Sequence, residues 1–100
     1  MRNRQVIERW LHGRRGRSGN GILRTDGHKL FSYKVLIGEE IRGQRIVYDF
    51  RGPHKIGLTV TRHVCAAIKL GQDDVEVRTP PSEVDIDKYR ALVQPKVVAK

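Results

Sequence analysis

Arg14, Arg15 and Arg17 stand in a glycine-interrupted stretch, RRGRSGNG, over residues 14–21. A guanidinium fork matches the oxygens of a phosphate, and a polar, flexible segment can take its order from the ligand it binds. A solvated connector has the same composition, so the phosphate reading needs support from elsewhere in the chain. Arg62, Ala66 and Lys69 supply some of it, because they recur at helical spacing as a basic stripe with a small residue in the middle. The start of that helix adds a positive dipole end that favours anions. Lys34 and Arg45, on the charged faces of two strand-like runs, complete the candidate nucleic-acid contacts.

Other chemistry has little to work with. The four histidines, at 12, 28, 54 and 63, are scattered, and only His63 has a close companion, Cys65. Two residues apart on a helix point about 200° away from each other, so this pair cannot hold one ion. Cys65 sits beside alanines and is expected to be buried and inert. Asp73-Asp74 and the Asp85, Asp87 pair fall near turns and caps, where carboxylates have local uses. No nucleophile elbow and no phosphate-cradling glycine loop is present. The expectation is a protein that is not an enzyme, with neither metal nor cofactor.

Charge points the same way. The chain has 100 residues and a net charge of +9, with 38% apolar and 31% charged side chains. Residues 1–20 carry six arginines against Glu8, for +5; residues 21–70 carry nine bases against four acids, again +5; residues 71–100 carry five against six, for −1. A basic body with a near-neutral tail suits an acidic partner, and nucleic acid is the commonest one. No apolar run reaches membrane-spanning length, and the single cysteine rules out an internal disulfide, which fits a reducing cytoplasm.

The elements that would position these residues can be read from periodicity. Asn3 is the expected N-cap of a helix over 4–12, with Ile7, Trp10 and Leu11 facing the core and Gly13 as its stop. Ile22 to Arg24 suits a short strand, and Asp26-Gly27 a hairpin turn. A long strand follows, with Phe31, Tyr33, Val35 and Ile37 on the apolar face and Leu30, Ser32, Lys34 and Leu36 on the other. Gly38 to Gly43 reads as a charged loop. The return strand turns Ile46, Tyr48 and Phe50 inward, and Arg45, Val47, Asp49 and Arg51 outward. Thr61 is the expected cap of a helix over 62–70, ended by Gly71. Beyond it, Val75 and Val77 suit an edge strand, and Ser82 with Asp85 a capping box for a helix over 83–92, before Pro95 and a frayed end from Lys96 to Lys100. One small domain, 1–100, is expected, with a core over 3–70 and an extension over 72–100. The fold class is α+β: a three- to four-stranded antiparallel sheet with two helices on one face and a short C-terminal helix.

Asn3-Arg4 with Ile7, Ser32-Tyr33 with Ile37, and Thr59-Val60-Thr61-Arg62-His63 together resemble a family of small phage and prophage proteins, over roughly Asn3 to Leu70. Relatives carry a Thr/Ser-rich run at the same spacing to a histidine; this chain departs from it at Leu58 and Arg62, and residues 72–100 have no counterpart. The resemblance implies a phage accessory role in the host cytoplasm and brings no catalytic residues. Helix, three antiparallel strands and a helix with AAIKL is also the element order of double-stranded-RNA-binding domains, although Thr61-Arg62-His63 replaces the lysine cluster of their second helix. The expected function is non-enzymatic binding of nucleic acid through the arginine loop and basic helix face. The alternative is an anti-defence protein, such as an anti-CRISPR, or a host-takeover protein that binds a host protein or nucleoprotein complex through the Glu39-Glu40 loop or the acidic C-terminal part.

Overall fold

The computed structural model describes residues 1–81 and 86–93. Helix α1 (Asn3–Leu11) leads into β1 (Gly16–Arg17), β2 (Leu23–Thr25), β3 (Lys29–Ser32), β4 (Val35–Ile41) and β5 (Gln44–Tyr48), followed by α2 (Leu58–Gly71), β6 (Val75–Arg78) and α3 (Ile86–Val93). The class is α+β, but the sheet has six strands in the order β1-β2-β3-β4-β5-β6, and it is mixed. All neighbours are antiparallel except β5 and β6, which run parallel because α2 carries the chain back between them. Five strands separate α1 from α2, so the element order of a double-stranded-RNA-binding domain does not hold.

The extra strands come from places the apolar pattern concealed. Residues 14–21 are not a free loop: β1 pairs with β2, and Ser18 closes the turn between them. The Leu23 amide donates to Ser18 Oγ, and the Ser18 amide to the Leu23 carbonyl. The long run after His28 is likewise two strands. It reverses at Tyr33-Lys34, with Ser32 opposite Val35. Gly38 to Ile41, expected as loop, is strand, and Arg42-Gly43 makes the next turn with positive φ at both residues, the pattern that matches strand twist. Strand pairing tolerates the carboxylates there because each is engaged. Tyr48 Oη donates to Glu39, and the Gly43 amide donates to Glu40 at 2.8 Å. That amide, with His28 beside it, holds the Glu40 carboxyl below the ordinary range.

Reversal at Tyr33 also changes which residues face inward. Cross-strand partners share a face, so Leu23, Ser32 and Val35 lie together, as do Thr25, Leu30 and Gly38. Between the two groups β4 holds one extra residue, Ile37, since Phe31 pairs with Leu36 and Leu30 with Gly38. This bulge lets both Val35 and Gly38 reach the helix-covered face. Leu30 is therefore fully buried, while Phe31 lies half-buried on the opposite face beneath the Arg24 guanidinium, 5.0 Å from its ring centre. Val47, expected outside, is buried with Ile46 and Tyr48, because β5 is flanked by strands and packed on both faces.

Helix α1 docks through Trp10. Its indole lies on Gly38, where a Cβ would come within 3.0 Å of the ring, and its Nε1–H donates to the His28 carbonyl at 2.9 Å. Asn3 is the first helical residue rather than the cap; Arg2 holds that place, its amide donating to Gln5 Oε1. Helix α2 begins a turn earlier than the sequence suggests, at Leu58 after Gly57. Thr61 lies inside it, where its hydroxyl donates back to the Gly57 carbonyl rather than capping the helix. Val60, His63, Val64 and Ala67 face the core, whereas Cys65 is exposed, contrary to the buried thiol expected from its alanine neighbours. The cap at Ser82 and Asp85, Pro95, and the end from Lys96 to Lys100 lie outside the described residues.

Two substitutions test this packing. Leu30→Ala should cost about 2–5 kcal/mol, whereas Phe31→Ala should cost only roughly 1–2 kcal/mol, from partial burial and one cation–π contact; urea denaturation of both variants gives the comparison, and a reversed order would invert the face assignment. Gly38→Ala should cost on the order of 1–3 kcal/mol, because the new methyl meets the Trp10 ring and the Ile46 carbonyl together. A thermal melt unchanged by Gly38→Ala would mean that the indole does not rest there.

Candidate nucleic-acid interface

A concavity of about 820 Å³ lies along the β1–β2 edge and the β3–β4 turn. Arg15, Arg17, Arg24 and Lys34 line it with Tyr33, and among the described residues no acidic side chain does. Arg17 and Arg24 are direct cross-strand partners, so two guanidinium groups project side by side from one face. Like charges placed this way repel by a few tenths of a kcal/mol or more, and among the described residues no carboxylate pairs with any of the four cations. Gly21, with φ of +74°, lets the Arg17 guanidinium close over the turn; a Cβ there would fall 2.8 Å from Nη2.

The other basic residues singled out from the sequence are placed differently. Arg14 lies apart, with Glu8, Arg9 and His12 around a smaller depression of about 260 Å³ at the end of α1. Arg45 is half-buried and held by the fold: its Nη1 donates to the Gly27 carbonyl at 2.8 Å, and the guanidinium lies over the Trp10 ring at 5.7 Å. Arg62 and Lys69 are exposed on α2, as their stripe implies. That helix covers the Leu30 and Ser32 face, whereas Arg24 and Phe31 occupy the opposite one, so the two basic sets do not form one surface. Arg24 and Tyr33 were missed from the sequence. Arg24 could have been found as the strand partner of Arg17, but only once residues 16–17 were known to be strand; Tyr33-Lys34 carries no turn signature of Gly, Pro or Asn.

One polar trio, buried at Ser32 and His63 and exposed at Asn3, has the composition of a catalytic site without its access. His63 Nδ1 lies 2.6 Å from Ser32 Oγ, and His63 Nε2 lies 3.2 Å from Asn3 Nδ2. Ser32 is fully buried, so its hydroxyl cannot meet a substrate. The trio instead ties α1, β3 and α2 together. With the Asn3 amide donating to Nε2, the neutral imidazole must donate from Nδ1 to Ser32; a protonated ring would set two donors against each other. Burial also pushes the His63 pKa down from its ordinary value. Among the described residues no three His, Cys, Asp or Glu side chains gather to hold a metal, and no helix is long and apolar enough to cross a membrane.

Comparison with known proteins matches no family model, no curated protein and no solved structure.

The His63 geometry predicts an acid-labile fold. The unfolded chain binds a proton at about pH 6.5 and the folded chain only below that. Stability should therefore be complete above pH 6.5 and fall as pH drops from there toward the lowered folded value. Urea midpoints for wild type should be lower at about pH 5.5 than at 7.5, and His63→Gln should abolish most of that difference. Equal wild-type midpoints, or an unaltered slope in the variant, would remove His63 from this role.

Proposed function

We propose that this chain is a small non-enzymatic protein that binds nucleic acid through the groove between the β1–β2 edge and the β3–β4 turn. The observation that supports this reading is the convergence there of Arg15, Arg17, Arg24 and Lys34 without a carboxylate partner among the described residues. Several cations elsewhere are paired: Arg51 with Asp49 through two nitrogen–oxygen contacts, Arg78 with Glu76, and Arg90 with Asp87. A concave cluster left uncompensated, with two arginines directly opposed, is stabilised by an incoming polyanion. Arg62 and Lys69, on the far side of the sheet, add to long-range attraction rather than to the same contact surface.

The resemblance over Asn3 to Leu70 favours a phage context, with the host cytoplasm as the place of action. An inhibitor of a host protein or nucleoprotein complex remains the alternative function. The Glu39-Glu40 surface it would use has less to offer a partner, since Tyr48, Gly43 and His28 already engage those carboxylates.

Each phosphate neutralised releases a counterion, so binding should weaken steeply with salt. Arg17→Ala with Arg24→Ala should reduce affinity for every sequence and flatten the salt slope by about one unit per lost contact. Arg45→Ala should act on stability instead. Fluorescence anisotropy with labelled DNA and RNA at two salt concentrations measures both effects. Absence of binding to any of them at about 50 mM salt would sink the reading.

A further inference from the structure

The turn that carries Tyr33 breaks a local rule. Ser32 and Val35 are paired, so Tyr33 and Lys34 form a two-residue hairpin loop. Tyr33 has φ of +58°, and Lys34 is not among the positive-φ residues, which are the signs of a type II′ turn. That turn takes glycine at its first central position, since a side chain there is strained. An aromatic ring occupies it instead. Strain of this kind persists where surrounding structure imposes it, and it gathers at binding sites. The Tyr33 amide donates to the Ile22 carbonyl at 2.8 Å, which anchors the strained residue to the β1–β2 turn. Its ring packs against the margin of the core and also lines the basic groove.

We propose that the groove takes a single strand of nucleic acid, with one base stacked on Tyr33 and the flanking phosphates held by Arg17, Arg24 and Lys34. This rests on the nucleic-acid reading above and narrows it. Sequence-tolerant single-strand binding combines a cationic groove that follows the backbone with an aromatic face on which a base lies, and both are present here within one concavity. Base readout of a duplex through its major groove uses a helix or ribbon that projects into that groove. Here the cations line a hollow whose volume, about 820 Å³, suits a ligand the size of a few nucleotide groups rather than the convex side of a duplex. Arg24 is preset for this task, since the Phe31 ring beneath holds its guanidinium in place.

The test measures anisotropy of a labelled mixed-sequence single strand and of its duplex, with wild type, Tyr33→Phe and Tyr33→Gly. The single strand should bind more tightly than the duplex. Tyr33→Gly gives the turn its favoured residue and removes only the ring, so it should lose affinity for the single strand on the order of ten-fold or more while keeping the salt slope. Tyr33→Phe should bind as wild type does. Duplex binding as tight as single-strand binding, or a Tyr33→Gly variant with unaltered affinity, overturns this inference and leaves the basic-groove reading standing. Failure of wild type to bind either form overturns both. If Tyr33→Gly does not fold by thermal melt, a 5-bromouracil-substituted strand crosslinked to wild type decides: an adduct at Tyr33 supports the stack, and adducts only elsewhere overturn it.

Discussion

The seating of Trp10 on Gly38 is the contact on which the rest of the structure depends. A six-stranded sheet in so short a chain has few helical residues to cover it, so the covering helix must lie close. Glycine in β4 permits that approach, and the indole fills the space a side chain would have taken. The polar edge of the ring is satisfied by the His28 carbonyl, and its face is capped by Arg45, which reaches on to the Gly27 carbonyl. One aromatic residue thus joins α1, the β2–β3 loop, β4 and β5. The position of that loop is further set by Asp26, whose carboxylate accepts the Lys29 and His28 amides and is held below its ordinary pKa by them.

A second constraint is polar. The Asn3, Ser32 and His63 trio fixes the relative placement of α1, β3 and α2 with directional bonds in a region otherwise held by shape. Its three members satisfy one another, and among the described residues no buried side-chain nitrogen or oxygen lacks a partner. Buried polar groups satisfied as Ser32 and His63 are specify one arrangement over alternatives with similar hydrophobic burial.

Against this background of engaged groups the basic groove is the exception. Arg45, Arg51, Arg78 and Arg90 are paired with carboxylates, carbonyls or a ring, and they serve the fold. Arg17 and Arg24 repel one another and are held side by side by strand pairing. The strained Tyr33 turn, between β3 and β4, lines the same groove. Two departures from local preference in one place are what a binding surface requires, since groups fully satisfied by the protein have nothing left for a ligand.

By itself the sequence determined the class of the fold, the two main helices, the inward stripe of α1, the outward basic stripe of α2 and the excess of positive charge. Each of these follows from local periodicity or composition, which tertiary contacts do not alter. Tertiary structure alone decided the number of strands, the faces of β3 and β4, the exposure of Cys65 and the membership of the groove. The physical reason is that a strand's side-chain period is two, so one unrecognised reversal at Tyr33-Lys34 and one extra residue at Ile37 exchange the faces of everything around them. Neither event has a compositional mark. Arg24 and Arg17 are seven residues apart in the chain and become neighbours only through that pairing. Arg45 looked as available as they did, and only the packed Trp10 ring shows that its charge belongs to the fold.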